Sequence, residues 1–219
     1  MGKRLIIAGL IMLAAALPAA AQNKADIPSA KAQGYGASIL RIAPITAMDV
    51  GVGFGLGYEY IFGEKQMVGL VLPVSLLFEN KNTFDISTPY NNPKYNTYVY
   101  FTPGIKIYPF GQRKVTYAVG PNLMLGYGGG SEWQPRTDLY GVEYLDAVRT
   151  MHWRVGLLVN NYVNFQFTRR FNLGIEGGLG MRYLDKVSYS GSPYYAGNGT
   201  VNNGVDITGQ FSLTLGYRF

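Results

Sequence analysis

Val205-Asp206-Ile207-Thr208-Gly209-Gln210-Phe211-Ser212-Leu213-Thr214-Leu215-Gly216-Tyr217-Arg218-Phe219 is a run of strict alternation. Val205, Ile207, Phe211, Leu213, Leu215, Tyr217 and Phe219 fall on one face of a strand. Asp206, Thr208, Gln210, Ser212, Thr214 and Arg218 fall on the other. A soluble core would cover the apolar face with a second layer. Lipid can cover it equally well.

The same period of two recurs upstream. Segments 36–44, 50–62, 67–79, 95–108, 115–128, 149–167 and 171–184 join the terminal run to make eight candidate strands. In 50–62, Val52, Phe54, Leu56, Tyr58 and Tyr60 oppose Gly51, Gly53, Gly55, Gly57 and Glu59. In 67–79 the apolar face is Val68, Leu70, Leu72, Val74, Leu76 and Phe78. In 95–108, Val99, Phe101, Ile105 and Ile107 oppose Tyr98, Tyr100, Thr102 and Lys106. Segments of about ten residues suit membrane strands better than the five or six common in soluble sheets. Faces rich in Gly, Asn and charge would make a poor core for a soluble barrel. The expectation is therefore an all-β fold: an eight-stranded antiparallel transmembrane up-and-down β-barrel.

Connection lengths test this independently. Turns at 63–65, 109–113 and 168–170 are tight, whereas 81–94, 131–148 and 185–204 are long and polar. Short and long alternate as periplasmic turns and extracellular loops do. Residues 45–49 would form a short outer loop. Aromatic residues gather at the two expected interfaces, with Tyr58, Tyr60, Phe165, Phe171, Tyr217 and Phe219 low and Phe78, Tyr127, Trp153 and Tyr183 high.

The start of the chain reads as an export signal. Lys3 and Arg4 precede an apolar run from Leu5 to Leu17, and Ala19-Ala20-Ala21 supplies small residues for cleavage. About 13 apolar residues fall short of the roughly 20 a spanning helix needs. The expected organisation is a signal peptide over 1–21, a periplasmic segment over 22–33 and the barrel over 34–219. Without cysteine, neither lipoprotein attachment nor a disulfide is available. Taking Lys3 and Arg4 from the 19 basic residues leaves 17 against 13 acidic ones, a mild +4 that argues for no nucleic-acid partner.

Candidate chemistry lies on the inward faces. Arg41, Glu59, Lys106, Arg154, Glu176, Arg182 and Arg218 form an expected lumen charge network, joined near the outer end by Glu79. An eight-stranded barrel is just wide enough for side chains to fill, so these charges should pair. Arg41, Lys106 or Arg218 would bridge Glu59 and Glu176. A structural plug is the plain reading; alternative pairings that open a narrow path are the sharper one. Gly51, Gly53, Gly55 and Gly57 keep period two and precede no helix pattern, so they are no phosphate-binding fingerprint. No His/Cys/carboxylate spacing suits a metal, and no cofactor is expected. In the loops, Trp133, Tyr90, Tyr194 and Tyr195 are the candidate contacts for an extracellular ligand or host surface.

The alternating strands, the loop pattern and the terminal Tyr217 and Phe219, which match a barrel assembly signal, resemble the small outer-membrane barrels typified by the membrane domain of OmpA and by OmpX. The Gly- and Tyr-rich style is similar to barrels of the Bacteroidetes. The resemblance implies insertion by the barrel-assembly machinery, a shell of outer-membrane lipid and a monomer. It carries no catalytic motif. Among barrel enzymes, lipid A deacylases place a serine two residues after the histidine, where this chain has Arg154 after His152. The expected role is structural or surface-interacting with a plugged lumen. The alternative is a narrow or gated pore for small solutes, and an enzyme acting on lipid or peptide ranks last.

Overall fold

The computed structural model describes residues 34–80, 95–137, 140–190, 200–202 and 204–219. The described strands are β1 (Ser38–Met48), β2 (Gly51–Phe62), β3 (Val68–Asn80), β4 (Tyr95–Phe101), β5 (Gly104–Ile107), β6 (Val115–Thr137), β7 (Glu143–Gln166), β8 (Phe171–Ser190), β9 (Thr200–Asn202) and β10 (Asp206–Arg218). No helix occurs among the described residues. Each strand pairs antiparallel with its neighbours, and β10 returns to β1 from Ile39↔Arg218 to Met48↔Gln210, so the sheet closes. β4 and β5 are one stave interrupted at Thr102 and Pro103. Proline has no N–H to give the ladder there, but its carbonyl accepts from Leu123 N at 2.9 Å. β9 and β10 likewise share one stave, so the barrel has eight.

Alternation sorts the side chains as the sequence predicts. Leu56 (59 % exposed) and Leu179 (64 %) belong to a continuous outward apolar band, while Glu59 (0 %) points into the lumen. From Val52 to Phe62 the outward face of β2 is apolar or aromatic throughout. Ten residue steps cover about 33 Å along the strand. At a tilt of about 40° that is about 25 Å of height, the thickness such a membrane band requires.

The edges of the elements depart from expectation in three places. β1 does not stop at Pro44. It runs to Met48 across a bulge, where both pairings shift and Pro44 and Ile45 both face outward. The bulge settles which residues of β1 enter the lumen: Ile39, Arg41, Ala43, Thr46 and Met48. The segment expected to be a loop over 131–148 is largely a hairpin, paired from Gly128↔His152 to Thr137↔Glu143. β8 also continues past Leu184 to Ser190. Polar composition marks exposure but does not prevent pairing, because the ladder joins backbone groups whatever the side chains. Residues 1–33, the expected signal and lead-in, lie outside the described residues.

Candidate functional site

Inward alternation on β1, β2 and β5 brings Arg41, Glu59 and Lys106 to one depth. Glu59 Oε2 receives Arg41 Nη2 at 2.8 Å and Lys106 Nζ at 3.0 Å. Its Oε1 accepts the Tyr108 hydroxyl. Arg41 also donates to Asn172 Oδ1 at 2.9 Å, and Lys106 lies 4.0 Å from the Tyr162 ring centroid. Both oxygens of the carboxylate are engaged.

Glu176 is held differently. Its Oε1 accepts from Asn160 Nδ2 and Gln210 Nε2, each at 3.0 Å. Both mid-depth cations are engaged by Glu59, and among the described residues Glu176 makes no ion pair. The expected bridging therefore holds for Glu59 and fails for Glu176. Between the two carboxylates lies a cavity of about 40 Å³, bordered by Arg41, Lys106, Ser75 and the bare backbone of Gly55 and Gly57. It has room for a few waters.

Arg218 sits at the lower end and bridges neither glutamate. Its guanidinium donates to Gly36 O at 2.6 Å, Gln66 Oε1 at 2.6 Å and Gln112 Oε1 at 3.1 Å. Gln66 and Gln112, in the turns before β3 and β6, put neutral amide oxygens closer than either carboxylate.

A second charge layer fills the outer mouth. Arg154 Nε donates to Asp185 Oδ2 at 3.1 Å, and Arg154 Nη1 donates to the Tyr100 hydroxyl at 3.2 Å. Arg182 pairs with Asp49 and, at 2.9 Å, with Asp206. His152 Nδ1 lies 2.9 Å from Asp185 Oδ1. Glu79 instead accepts from Asn96 at 3.0 Å and from the Tyr98 hydroxyl at 3.3 Å. The key acid, Asp185, falls in a loop by sequence reasoning. A bulge in β8 between Arg182 and Leu184 brings it in: Gly156 pairs with Arg182 but Val155 with Leu184. That extra residue flips every later side chain, so Asp185 faces Arg154 while Lys186 faces out. Asp49 escapes sequence reasoning because it falls in the expected outer loop over 45–49; it lies in the turn that follows Met48 and meets Arg182 from there.

Two apolar layers separate and flank the charges. Ile39, Ile61, Tyr108, Ala118 and Tyr162 pack together below. Met48, Leu77, Tyr98, Tyr100, Met124 and Leu158 pack together above, with Leu77, Tyr100 and Met124 fully buried. Their inward facing is legible in the sequence except at Met48, which lies beyond the bulge of β1, but their packing is not.

The solved structures settle the architecture. A major outer membrane protein from Thermus thermophilus superposes with a TM-score of 0.56 at 12 % identity, over 83 % of this chain and 98 % of that one. OprG, an outer membrane protein from Pseudomonas aeruginosa, gives 0.51 at 13 %, over 84 % and 96 %. This is the small outer-membrane β-barrel fold. No family model matches the chain, and no curated protein matches it.

Within this barrel, Tyr217 and Phe219 lie on the outer surface of the closing seam, where Tyr217 packs on Phe171 at 5.2 Å between ring centroids and stacks with Phe219 at 6.3 Å. Phe219 N donates to Ser38 O at 2.9 Å, which joins the last residue to the first stave. Trp133 lies on β6 with its backbone opposite Ala147. Tyr90, Tyr194 and Tyr195 lie outside the described residues.

Proposed function

We propose that the chain is an exported outer-membrane protein whose lumen is a structural plug and whose work is done at its surfaces, without an enzyme site. The observation that carries this reading is the stack of buried side chains across the lumen. Two apolar layers enclose the Glu59 cluster, and the outer mouth is closed by paired Arg154 and Arg182. Lipid solvates the outward band, closure satisfies the strand backbones, and the display element is the long β6–β7 ribbon. Eight residue pairs of that ribbon, Gly130↔Thr150 to Thr137↔Glu143, lie beyond the last β4–β6 pair at Gly129. They add about 25 Å of strand. A ligand or host surface would meet it there. His152 next to Asp185 has the two ends of a general base pair, but the residue two positions on is Arg154, turned inward, and supplies no nucleophile.

The cavity beside Glu176 favours the second reading, a narrow pore. Single-channel recording of refolded residues 22–219 in a planar bilayer separates them. The plug predicts a silent bilayer. Discrete steps that change with Glu59→Gln would make the barrel a pore.

A further inference from the structure

Among the described side chains, charge balances at mid-depth and at the outer end, and the excess positive charge, buried Arg218 included, lies at the other end. At mid-depth Arg41 and Lys106 match Glu59 and Glu176. Among the described side chains of the outer end, Arg149, Arg154, Arg182 and Lys186 match Asp49, Glu79, Asp185 and Asp206. The three tight turns at the other end carry Lys65, Arg113, Lys114, Arg169 and Arg170, all exposed, against Glu64 alone. None of these five cations has an ion pair among the described residues; Arg170 donates to the Tyr217 hydroxyl at 3.4 Å.

Backbone and amide contacts hold the three turns side by side. Gln112 Nε2 donates to Gln66 O at 3.2 Å, Gln166 N to Lys114 O at 2.7 Å, and Arg218 N to Arg170 O at 2.6 Å. The cations therefore form a continuous arc and not scattered points. Directly above the arc, outward Phe62, Phe110, Phe167, Phe171, Tyr217 and Phe219 make an exposed aromatic girdle. Aromatic side chains of this kind sit at the headgroup level, so the basic arc stands where lipid phosphates lie.

We infer that this periplasmic rim is a docking surface for anionic phospholipid headgroups of the inner leaflet. The inference rests on the outer-membrane reading above. Lipid is favoured over the cell wall because the cations adjoin the girdle instead of projecting beyond it on a stalk, and Arg170 shares a contact with girdle residue Tyr217. Each Lys or Arg near an anionic surface adds an attraction that salt screens.

The test is spin-label resonance on residues 22–219 refolded into phosphatidylcholine vesicles carrying labelled phosphatidylglycerol or labelled phosphatidylcholine. The boundary shell should favour phosphatidylglycerol by about threefold or more at low salt. The variant K65Q/R113Q/K114Q/R169Q/R170Q should bring the ratio near one, while the outer pair R149Q/K186Q leaves it in place. An unchanged ratio in the fivefold variant overturns the proposal. So does a native ratio near one, and retention on purified sacculi alongside it would assign the arc to the cell wall. The heat-dependent mobility shift of a closed barrel is read on every sample. A native chain that fails to insert sinks the outer-membrane reading itself, and the rim proposal with it.

Discussion

The Glu59 cluster and the outer mouth use the same chemistry under opposite conditions. Around Glu59, one carboxylate meets two cations and a phenol in the barrel interior, away from bulk solvent. At the mouth, Arg154 and Arg182 are shared among Asp49, Asp185 and Asp206, and the Asp206 side chain is 47 % exposed. A buried group cannot fall back on solvent, so each partner there is indispensable, whereas water can replace a lost partner at the mouth. The difference teaches that the lower layer holds the barrel together and the upper one mainly closes its entrance.

Substitutions can break that contrast. Glu59→Gln strands Arg41 and Lys106 together and should cost about 3–5 kcal/mol. Urea unfolding from vesicles, followed by the fluorescence of lipid-facing Trp153, would read it. Adding Lys106→Met to that variant should recover at least about 1 kcal/mol, because one of the stranded charges is gone. A double variant no more stable than the single one would show that the cluster does not act as a unit. Asp185→Asn removes charge from the partner of Arg154 and His152 where water is near, so about 1–2 kcal/mol is expected. Its loss should shrink in high salt, while that of Glu59→Gln should not.

The smallest effect is expected at Glu176, although it is buried like Glu59. Glutamine keeps an oxygen for Asn160 and Gln210 and breaks no contact ion pair, so Glu176→Gln should cost about 1 kcal/mol or less. A cost equal to that of Glu59→Gln would mean that Lys106 serves both carboxylates across the cavity, and would revive the pore.

Much of this is legible from residue order. The facing of Glu59, Lys106, Glu176, Arg154 and Arg182 follows from counting twos along strands that lack irregularities up to those points. Asp185 is not legible, because one inserted residue in β8 inverts the parity and nothing in Tyr183-Leu184 announces it. β1 hides its course for the same reason at Pro44-Ile45. The β6–β7 ribbon reads as a loop because its polar residues carry no core-facing pattern, although their backbones pair as fully as those within the membrane.

By itself, then, the order of amino acids determined the strands, their number, the lipid-facing band and the class of barrel, since each depends on a local period of two. Tertiary structure alone decided which cations Glu59 keeps, that Glu176 has none among the described residues, and where the basic turns meet. Those depend on register between residues as distant as Arg41 and Asn172, set by bulges and closure that no local pattern encodes.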